Sequence, residues 1–187
     1  MSAHGAPHDS SNKKVALLIA CLALLLAFAE TLGKSAQTEA LSRNIEAANL
    51  WSFFQAKTIR MTTVRTAAEE AELQLANASG EHRAMLAKRI DDWKKTATRY
   101  DTEPETQEGR KELARRAKGA EAKRDHSLAA YHHYETASAA LQIAIVLASA
   151  EVITGVAFLV WAAAGLGVVG LVFMAIGFLA PTAVHLF

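Results

Sequence analysis

The sequence predicts an all-α integral membrane protein with three transmembrane helices and a long helical-hairpin, coiled-coil-like extramembrane stalk. Three observations lead to this fold class. One apolar run lies near the N-terminus, a longer one closes the chain, and the segment between them is charged and rich in helix-forming residues. The predicted order is a flexible tail (1–14), a first transmembrane helix (15–32), a charged stalk (33–136) and two further transmembrane helices (137–163 and 166–185).

Charge is concentrated in the middle of the chain. Between Gly33 and Glu135 lie 18 of the 20 Lys and Arg residues and 16 of the 19 Asp and Glu residues. Because the two signs nearly cancel, this segment is expected to be a solvated helix surface, and we expect no nucleic-acid partner. The single cysteine, Cys21, lies in an apolar run, so one chain cannot form a disulfide or a cysteine metal site.

The first apolar segment, VALLIACLALLLAFA, allows three interpretations. Extended through Leu32 it covers 18 residues, about the minimum for a spanning helix. Residues 27–29 also fit a signal-peptide cleavage site, and residues 18–21 imitate a lipoprotein site. We favour an uncleaved membrane helix, because the sequence that follows has a helix-forming composition without Pro. Cleavage remains an open alternative.

The C-terminal apolar stretch is too long for one crossing. Its 51 residues, 137–187, contain no Lys, Arg or Asp, and the small residues at 164–167 permit a tight reversal between two helices. Glu151 then falls in mid-membrane, where an ionisable group is costly and needs a partner or a watery cavity. Glu30 is the second intramembrane candidate, near enough to the interface for its carboxylate to reach water.

The stalk is expected to contain three helices. The first covers 33–76, the second covers 81–100 after a stop at 77–80, and the third begins at a Thr102–Glu105 capping box. Large apolar residues occupy more than one face of the first helix, so either a second copy of the chain or the second helix, through Ile90 and Trp93, must cover them. The residues predicted to pack the stalk or the oligomer are Trp51, Phe53, Phe54, Ile59, Met61 and Trp93.

Aromatic residues flank the C-terminal apolar stretch, as they do at membrane interfaces. The predicted belt consists of Tyr131, His132, His133, Tyr134 and Trp161. The histidines around residue 130 match no di-iron or zinc motif, so we expect no metal and no other cofactor. Motifs for phosphate binding and for nucleophilic catalysis are also missing from the sequence, so we expect no catalytic residue and no enzyme activity.

The segment KKVALLIACLALLLAFAETLGKSAQTEALSRNIEAANLWSFFQAKTIR resembles the opening of a bacterial membrane-protein family known as a domain of unknown function. The resemblance extends along the whole chain. It implies a multi-pass protein of the bacterial inner membrane and transfers no functional residues. Basic residues beside the predicted spans favour a cytoplasmic stalk, although Lys13 and Lys14 favour the opposite orientation.

Two functions compete on these observations. The first is a noncatalytic, homo-oligomeric membrane scaffold or adaptor, suggested by the long stalk and its surplus of aromatic surface. Its expected partners are the lipid bilayer, further copies of the chain and an unidentified protein. The alternative is an ion or proton channel, or a transporter subunit, that uses Glu151 within the membrane.

Overall fold

The structure, a computed structural model, describes residues 8–184, with side chains described from residue 13. Those residues form four helices and no strand, which confirms the all-α class. Residues 1–7 of the expected tail and the expected end of the third transmembrane helix at His185 lie outside the described residues. The helices are α1 (His8–Leu75), α2 (Gly80–Asp101), α3 (Arg110–Thr154) and α4 (Phe158–Leu179).

Helix α1 is continuous over 68 residues, which at 1.5 Å per residue is about 100 Å. Its length follows from the sequence, because no Pro interrupts it and Gly33 is its only glycine. The helix begins at His8, inside the stretch expected to be a flexible tail. It ends at Leu75, where the expected stop sequence Asn77-Ala78-Ser79-Gly80 follows.

Three of the four helices, α1, α3 and α4, are long and apolar enough to cross a membrane, by length and composition. Their number agrees with the three candidate spans expected from the sequence.

The reversal between α3 and α4 differs from the expected one. Helix α3 ends at Thr154, and Gly155 has a φ of +69°, a left-handed conformation that glycine adopts without a steric penalty. The N–H of Gly155 donates to the carbonyl of Glu151 at 2.7 Å, which closes the last turn. The small residues at 164–167 lie inside α4 instead. This corrects the expected boundary between spans 137–163 and 166–185.

The connection between α2 and α3 also differs from the expected one. Thr102 was expected to cap the start of the third helix, but it ends α2, and its N–H donates to Thr98 at 3.0 Å. Helix α3 begins only at Arg110. The buried carboxylate of Glu112 accepts a hydrogen bond from the N–H of Glu103 at 3.1 Å and so fixes the connecting loop. The predicted capping box is therefore wrong, because the N–H of Thr102 is used to end α2 and α3 begins only at Arg110.

The helices divide into two compact units. The apolar unit comprises Met1–Leu41 and Arg124–Phe187, and the charged unit comprises Ser42–Lys123. In the charged unit, Leu50 of α1 packs against Leu113 of α3. In the apolar unit, parts of α1, α3 and α4 enclose small and aliphatic side chains. These core residues are Val15, Leu22, Ala29, Ala137, Leu141, Ala144, Ala148 and Ala163.

Candidate functional site

One face of α1 in the charged unit carries an exposed row of side chains, which we call the α1 stripe. Ile45, Ile59 and Leu73 follow one another at intervals of 14 residues and are 53%, 67% and 76% exposed. The positions between them, at alternating spacings of three and four, are also exposed, and that spacing places them on one helix face. The α1 stripe comprises Ile45, Ala48, Ser52, Gln55, Ile59, Thr62, Thr66, Glu69 and Leu73.

Another face of α1 is covered by the chain itself. Trp51, Phe53 and Phe54 pack against the core formed with α3. The Trp51 indole N–H donates to Glu121 Oε1 at 2.8 Å, and its ring meets Phe54 edge to face at 5.4 Å between centroids. Helix α3 therefore covers part of the surface of these aromatic residues, whereas the sequence suggested a second copy of the chain or the second helix.

The other residues predicted to pack the stalk lie in different surroundings. Met61 is buried, and its sulfur lies 3.4 Å from Arg110. Trp93 lies on α2, where the guanidinium of Arg89 sits 5.2 Å from the centre of its ring. Ile59 is exposed and belongs to the α1 stripe. The structure thus separates one predicted cluster into a covered group and an uncovered one.

A buried cation holds the loop between α2 and α3 against α1. The Lys57 ammonium lies 3.5 Å from Glu103 and 3.8 Å from Glu108. It also lies 5.4 Å from the ring centres of Phe53 and Tyr100, within the range of cation–π attraction. Because the ammonium is buried, these partners replace the water that it loses on folding.

A second cation, Arg110, ties the first turn of α3 to its surroundings. Its Nε donates to Thr58 at 2.9 Å, and its terminal nitrogen lies 3.2 Å from Asp101. The hydrogen bond from Lys111 lowers the pKa of Asp101 below its ordinary value; partial burial acts in the opposite direction, and the charges of Lys111 and Arg110 add to the lowering. These contacts bridge helices within the charged unit and give it a fixed shape.

The apolar unit contains an open groove of about 420 Å³ between α1 and α3, which we call the polar groove. Gln142 donates to Glu30 at 3.4 Å, and the Tyr131 hydroxyl donates to Glu135 at 3.3 Å. The groove lies where the apolar run of α1 ends and that of α3 begins. Its lining residues are Ala29, Glu30, Gly33, Lys34, Gln37, Tyr131, Tyr134, Glu135, Ser138, Ala139 and Gln142.

Two of the predicted belt residues lie inside the apolar unit. His133 is almost fully buried, its Nε2 lies 3.1 Å from the carbonyl of Pro181, and its ring stacks on Phe173. Because a carbonyl only accepts, Nε2 carries the proton in this arrangement; Nδ1 is buried without a hydrogen-bond partner among the described residues. Tyr134 is also buried, beside Gly33 and Gly177.

The remaining belt residues are at least partly exposed. Tyr131 and His132 are half-buried, and Trp161 is exposed in the first turn of α4. Among the described residues, no group of three or more His, Cys, Asp or Glu side chains is placed to hold a metal ion.

Glu151 lies near the end of a candidate span rather than in its middle. Because α3 ends at Thr154, this glutamate occupies the last turn of the helix. Its side chain is buried, and Oε2 finds no hydrogen-bond partner within the described part of the chain. Glu30, the other intramembrane candidate, is exposed and lines the polar groove.

A family model matches residues 11–180 of the chain. The chain belongs to the DUF4337 family, described as a domain of unknown function. Comparisons with curated proteins and with solved structures give no match. The DUF4337 match begins in the first turn of α1 and extends past the end of α4, so it includes residues of both units. The description of the DUF4337 family assigns no role to any residue, so the roles proposed below rest on geometry.

Sequence reasoning found only part of the polar groove in this DUF4337 member. The sequence indicates Glu30 as an intramembrane candidate and Tyr131 and Tyr134 as belt residues, but it gives no site role to Lys34 or Gln142. Glu30 and Gln142 are 112 residues apart in sequence, so only the packing of α1 against α3 brings them together. One feature of the sequence points to this groove: Gln142 is the only amide side chain in the apolar stretch 137–187.

Proposed function

We propose that this protein is a noncatalytic, homo-oligomeric scaffold or adaptor of the bacterial inner membrane, inserted through three transmembrane helices. The observation that carries the proposal is the α1 stripe, a row of exposed side chains at heptad spacing that the chain's own helices leave uncovered. We place the charged unit on the cytoplasmic side, because Lys and Arg residues follow the first span and precede the second. An additional protein partner fits the adaptor role.

The partner that best matches the α1 stripe is the α1 stripe of a second copy of the chain. Copies inserted in the same orientation run their α1 helices in the same direction, so a parallel pair places Ile45, Ile59 and Leu73 each against its own counterpart. Ala48 and Ser52 are small and allow the helices to approach closely between these contacts.

The charges beside the α1 stripe also suit a parallel pair. Arg65 and Glu70 flank Thr66 on opposite sides of the stripe, five residues apart, and both are exposed. In a parallel heptad pair, residues with this spacing on neighbouring helices face each other, so Arg65 of one copy meets Glu70 of the other. This attraction acts against the repulsion between the Glu69 side chains of the two copies, which the same register brings together near the C-terminal end of the stripe.

The internal contacts of the charged unit support a noncatalytic role. Its buried cation, Lys57, pairs with carboxylates and rings that lie in the same unit, and Arg110 joins α3 to α1 and to Asp101. These charged groups stabilise a fixed helical surface. Such a surface is what a scaffold requires for defined contacts with other copies.

An ion-conducting role is the competing function. The Oε2 of Glu151, which has no hydrogen-bond partner among residues 8–184, favours it, since a buried acid in a membrane helix often marks an ion path. The position of Glu151 in the last turn of α3 counts against it, because a carboxyl group near the end of a span does not carry an ion through the middle of the bilayer. We therefore favour the scaffold, which the exposed α1 stripe supports.

We expect the Ile59→Glu variant to lose self-association. In a parallel pair it places two carboxylates opposite each other at the centre of the stripe, and loss of a central apolar contact alone costs about 2 kcal/mol, or about thirtyfold in affinity. The side chain is exposed, so the fold of one chain is retained. Chemical cross-linking in membranes measures the oligomer.

The matched control for this experiment is Met85→Glu. The side chain of Met85 is 59% exposed, a fraction similar to the 67% of Ile59, but it lies on α2 and is not part of the stripe. Cross-linking of this variant is expected to equal that of the wild type. Equal cross-linking of the Ile59 and Met85 variants would contradict the assignment of the stripe as the interface.

A further inference from the structure

We infer that the polar groove binds the headgroup of a phospholipid that carries a primary ammonium and a phosphate, as an ethanolamine lipid does. The phosphate lies against Lys34, and the ammonium lies against Glu30 and Glu135. The inference goes beyond the scaffold role and rests only on the proposed membrane insertion, not on oligomerisation.

The size and position of the groove suit a headgroup. Its volume of about 420 Å³ is within the range of about 300 to 1,000 Å³ that is typical of small-molecule sites. It opens to the surface where the apolar run of α1 gives way to polar residues after Glu30. In an inserted protein this level corresponds to the headgroup region of the bilayer.

The charges that line the groove select a zwitterion. Among the lining residues, all of which the structure describes, Lys34 is the only cation, whereas Glu30 and Glu135 supply two carboxylates. A lysine ammonium binds phosphate as a point charge, and carboxylates accept the N–H groups of a primary ammonium. A choline headgroup has no N–H to donate, and a glycerol headgroup has no positive charge.

Neutral polar groups complete the lining of the groove. The hydroxyl of Ser138 lies 3.3 Å from the amide nitrogen of Gln142, and the Tyr131 hydroxyl reaches Glu135. The Ser138 hydroxyl accepts in the first of these contacts, so its O–H is free to donate to an ester or phosphate oxygen of a lipid, and the Tyr131 oxygen keeps lone pairs that can accept from the ammonium. Their positions on α3 put them on the side of the groove opposite Glu30 and Lys34.

Apolar surface beside the groove favours a lipid over a free phosphate ester. Phe28 and Leu24 on α1 are exposed, as are Ile143 and Val146 on α3. On each helix these residues lie on the span side of the groove residues in sequence. Two acyl chains attached to a headgroup in the groove would therefore lie along exposed hydrocarbon surface, which a soluble ligand cannot use.

Native mass spectrometry of the full chain tests the inference. The protein is extracted from vesicles of equal parts ethanolamine, choline and glycerol phospholipids, and the lipids that remain bound are counted. Ethanolamine lipid is expected to be enriched about tenfold over each of the others, the effect of one charge-assisted hydrogen bond. Equal retention of the three lipids, or a preference for the glycerol lipid, would overturn the inference.

Two variants and two controls show whether the polar groove is responsible for the enrichment of ethanolamine lipid. Lys34→Gln and Glu135→Gln each remove a proposed headgroup contact at an exposed position, and each is expected to abolish the enrichment. Lys118→Gln and Glu81→Gln make the same charge changes at exposed positions in the charged unit and are expected to retain it. If all four variants lose the enrichment equally, the preference depends on the charge of the protein in general and not on the groove, and the inference is overturned.

Soluble phosphoethanolamine separates the two sources of this headgroup chemistry. At millimolar concentration it is expected to leave the bound lipid in place, because it lacks acyl chains; complete displacement would overturn the lipid assignment. The same spectra give the oligomeric state independently. A monomer that retains ethanolamine lipid would contradict the scaffold alone, and an oligomer without lipid preference would contradict the groove alone.

Discussion

Replacing Leu113 by Ala is expected to lower the free energy of unfolding of the charged unit by about 3 kcal/mol. Leu113 has no exposed surface and lies at the centre of the contact between α1 and α3, where Leu50 and the aromatic residues of α1 surround it. Removing its branched side chain leaves a cavity, and the neighbouring Ala117 and Ala120 are too small to fill it.

The measurement is amide hydrogen exchange of the full chain in lipid, read at the residues of α3 in the charged unit. Met85→Ala is the control, because it removes a comparable apolar side chain from an exposed position on α2, with an expected effect below about 0.5 kcal/mol. If both variants exchange at the wild-type rate, Leu113 does not hold α3 to α1.

Replacing Gly170 by Leu is expected to destabilise the apolar unit by about 3 kcal/mol, at the upper end of the usual cost of overpacking. A Cβ at this position would lie 2.8 Å from Leu141 Cγ and 3.3 Å from the carbonyl oxygen of Ala137. Neither atom is the free end of a flexible side chain, so α4 must move away from α3. Small residues allow this kind of close approach between membrane helices.

Gly165→Leu is the matched control for this prediction. It lies on the same helix, and a Cβ there would meet nothing within 4 Å. Because leucine is favourable in an apolar span, we expect wild-type stability or slightly more. Unfolding of the full chain in mixed lipid and detergent micelles, with increasing denaturing detergent, compares the two variants. A Gly170 variant as stable as the Gly165 variant would show that α3 and α4 do not pack at this position.

Elements fixed by local sequence were predicted well. The absence of Pro across α1 and the Asn, Ser and Gly residues that follow it were sufficient to predict a long helix and its end. Apolar length was sufficient to predict three candidate spans. These features depend on residues that are close together in the chain.

The two wrong boundaries have a common physical origin. Small residues serve tight turns and close helix packing equally well, so the sequence could not show that Gly155 makes the turn while Gly167 and Gly170 pack against other helices. Likewise, Thr102 fits either end of a helix; its N–H bonds to Thr98 of α2, and the loop that follows it is held by Glu112 of α3 through the N–H of Glu103. Both choices depend on tertiary contacts.

The candidate sites also combine features that local sequence predicts with features that depend on tertiary contacts. The sequence indicates Ile59 as a packing residue, but its place in an exposed stripe depends on the position of α3, which covers the aromatic residues on other faces of α1. The sequence leaves two covers for the aromatic residues open, a second copy of the chain and α2, and it does not indicate α3, because α2 and the start of α3 both offer apolar residues at helical spacing. Exposure depends on which helix packs where, and periodicity alone does not determine that.

The mass of the wild-type complex, extracted together with its native lipid and measured by native mass spectrometry, tests the central claim most directly. Self-association through the α1 stripe predicts a protein mass that is a defined multiple of the 20.1 kDa chain and that falls to one chain in the Ile59→Glu variant. A single chain in the wild type, at every concentration and in every lipid composition tried, would contradict the homo-oligomeric scaffold.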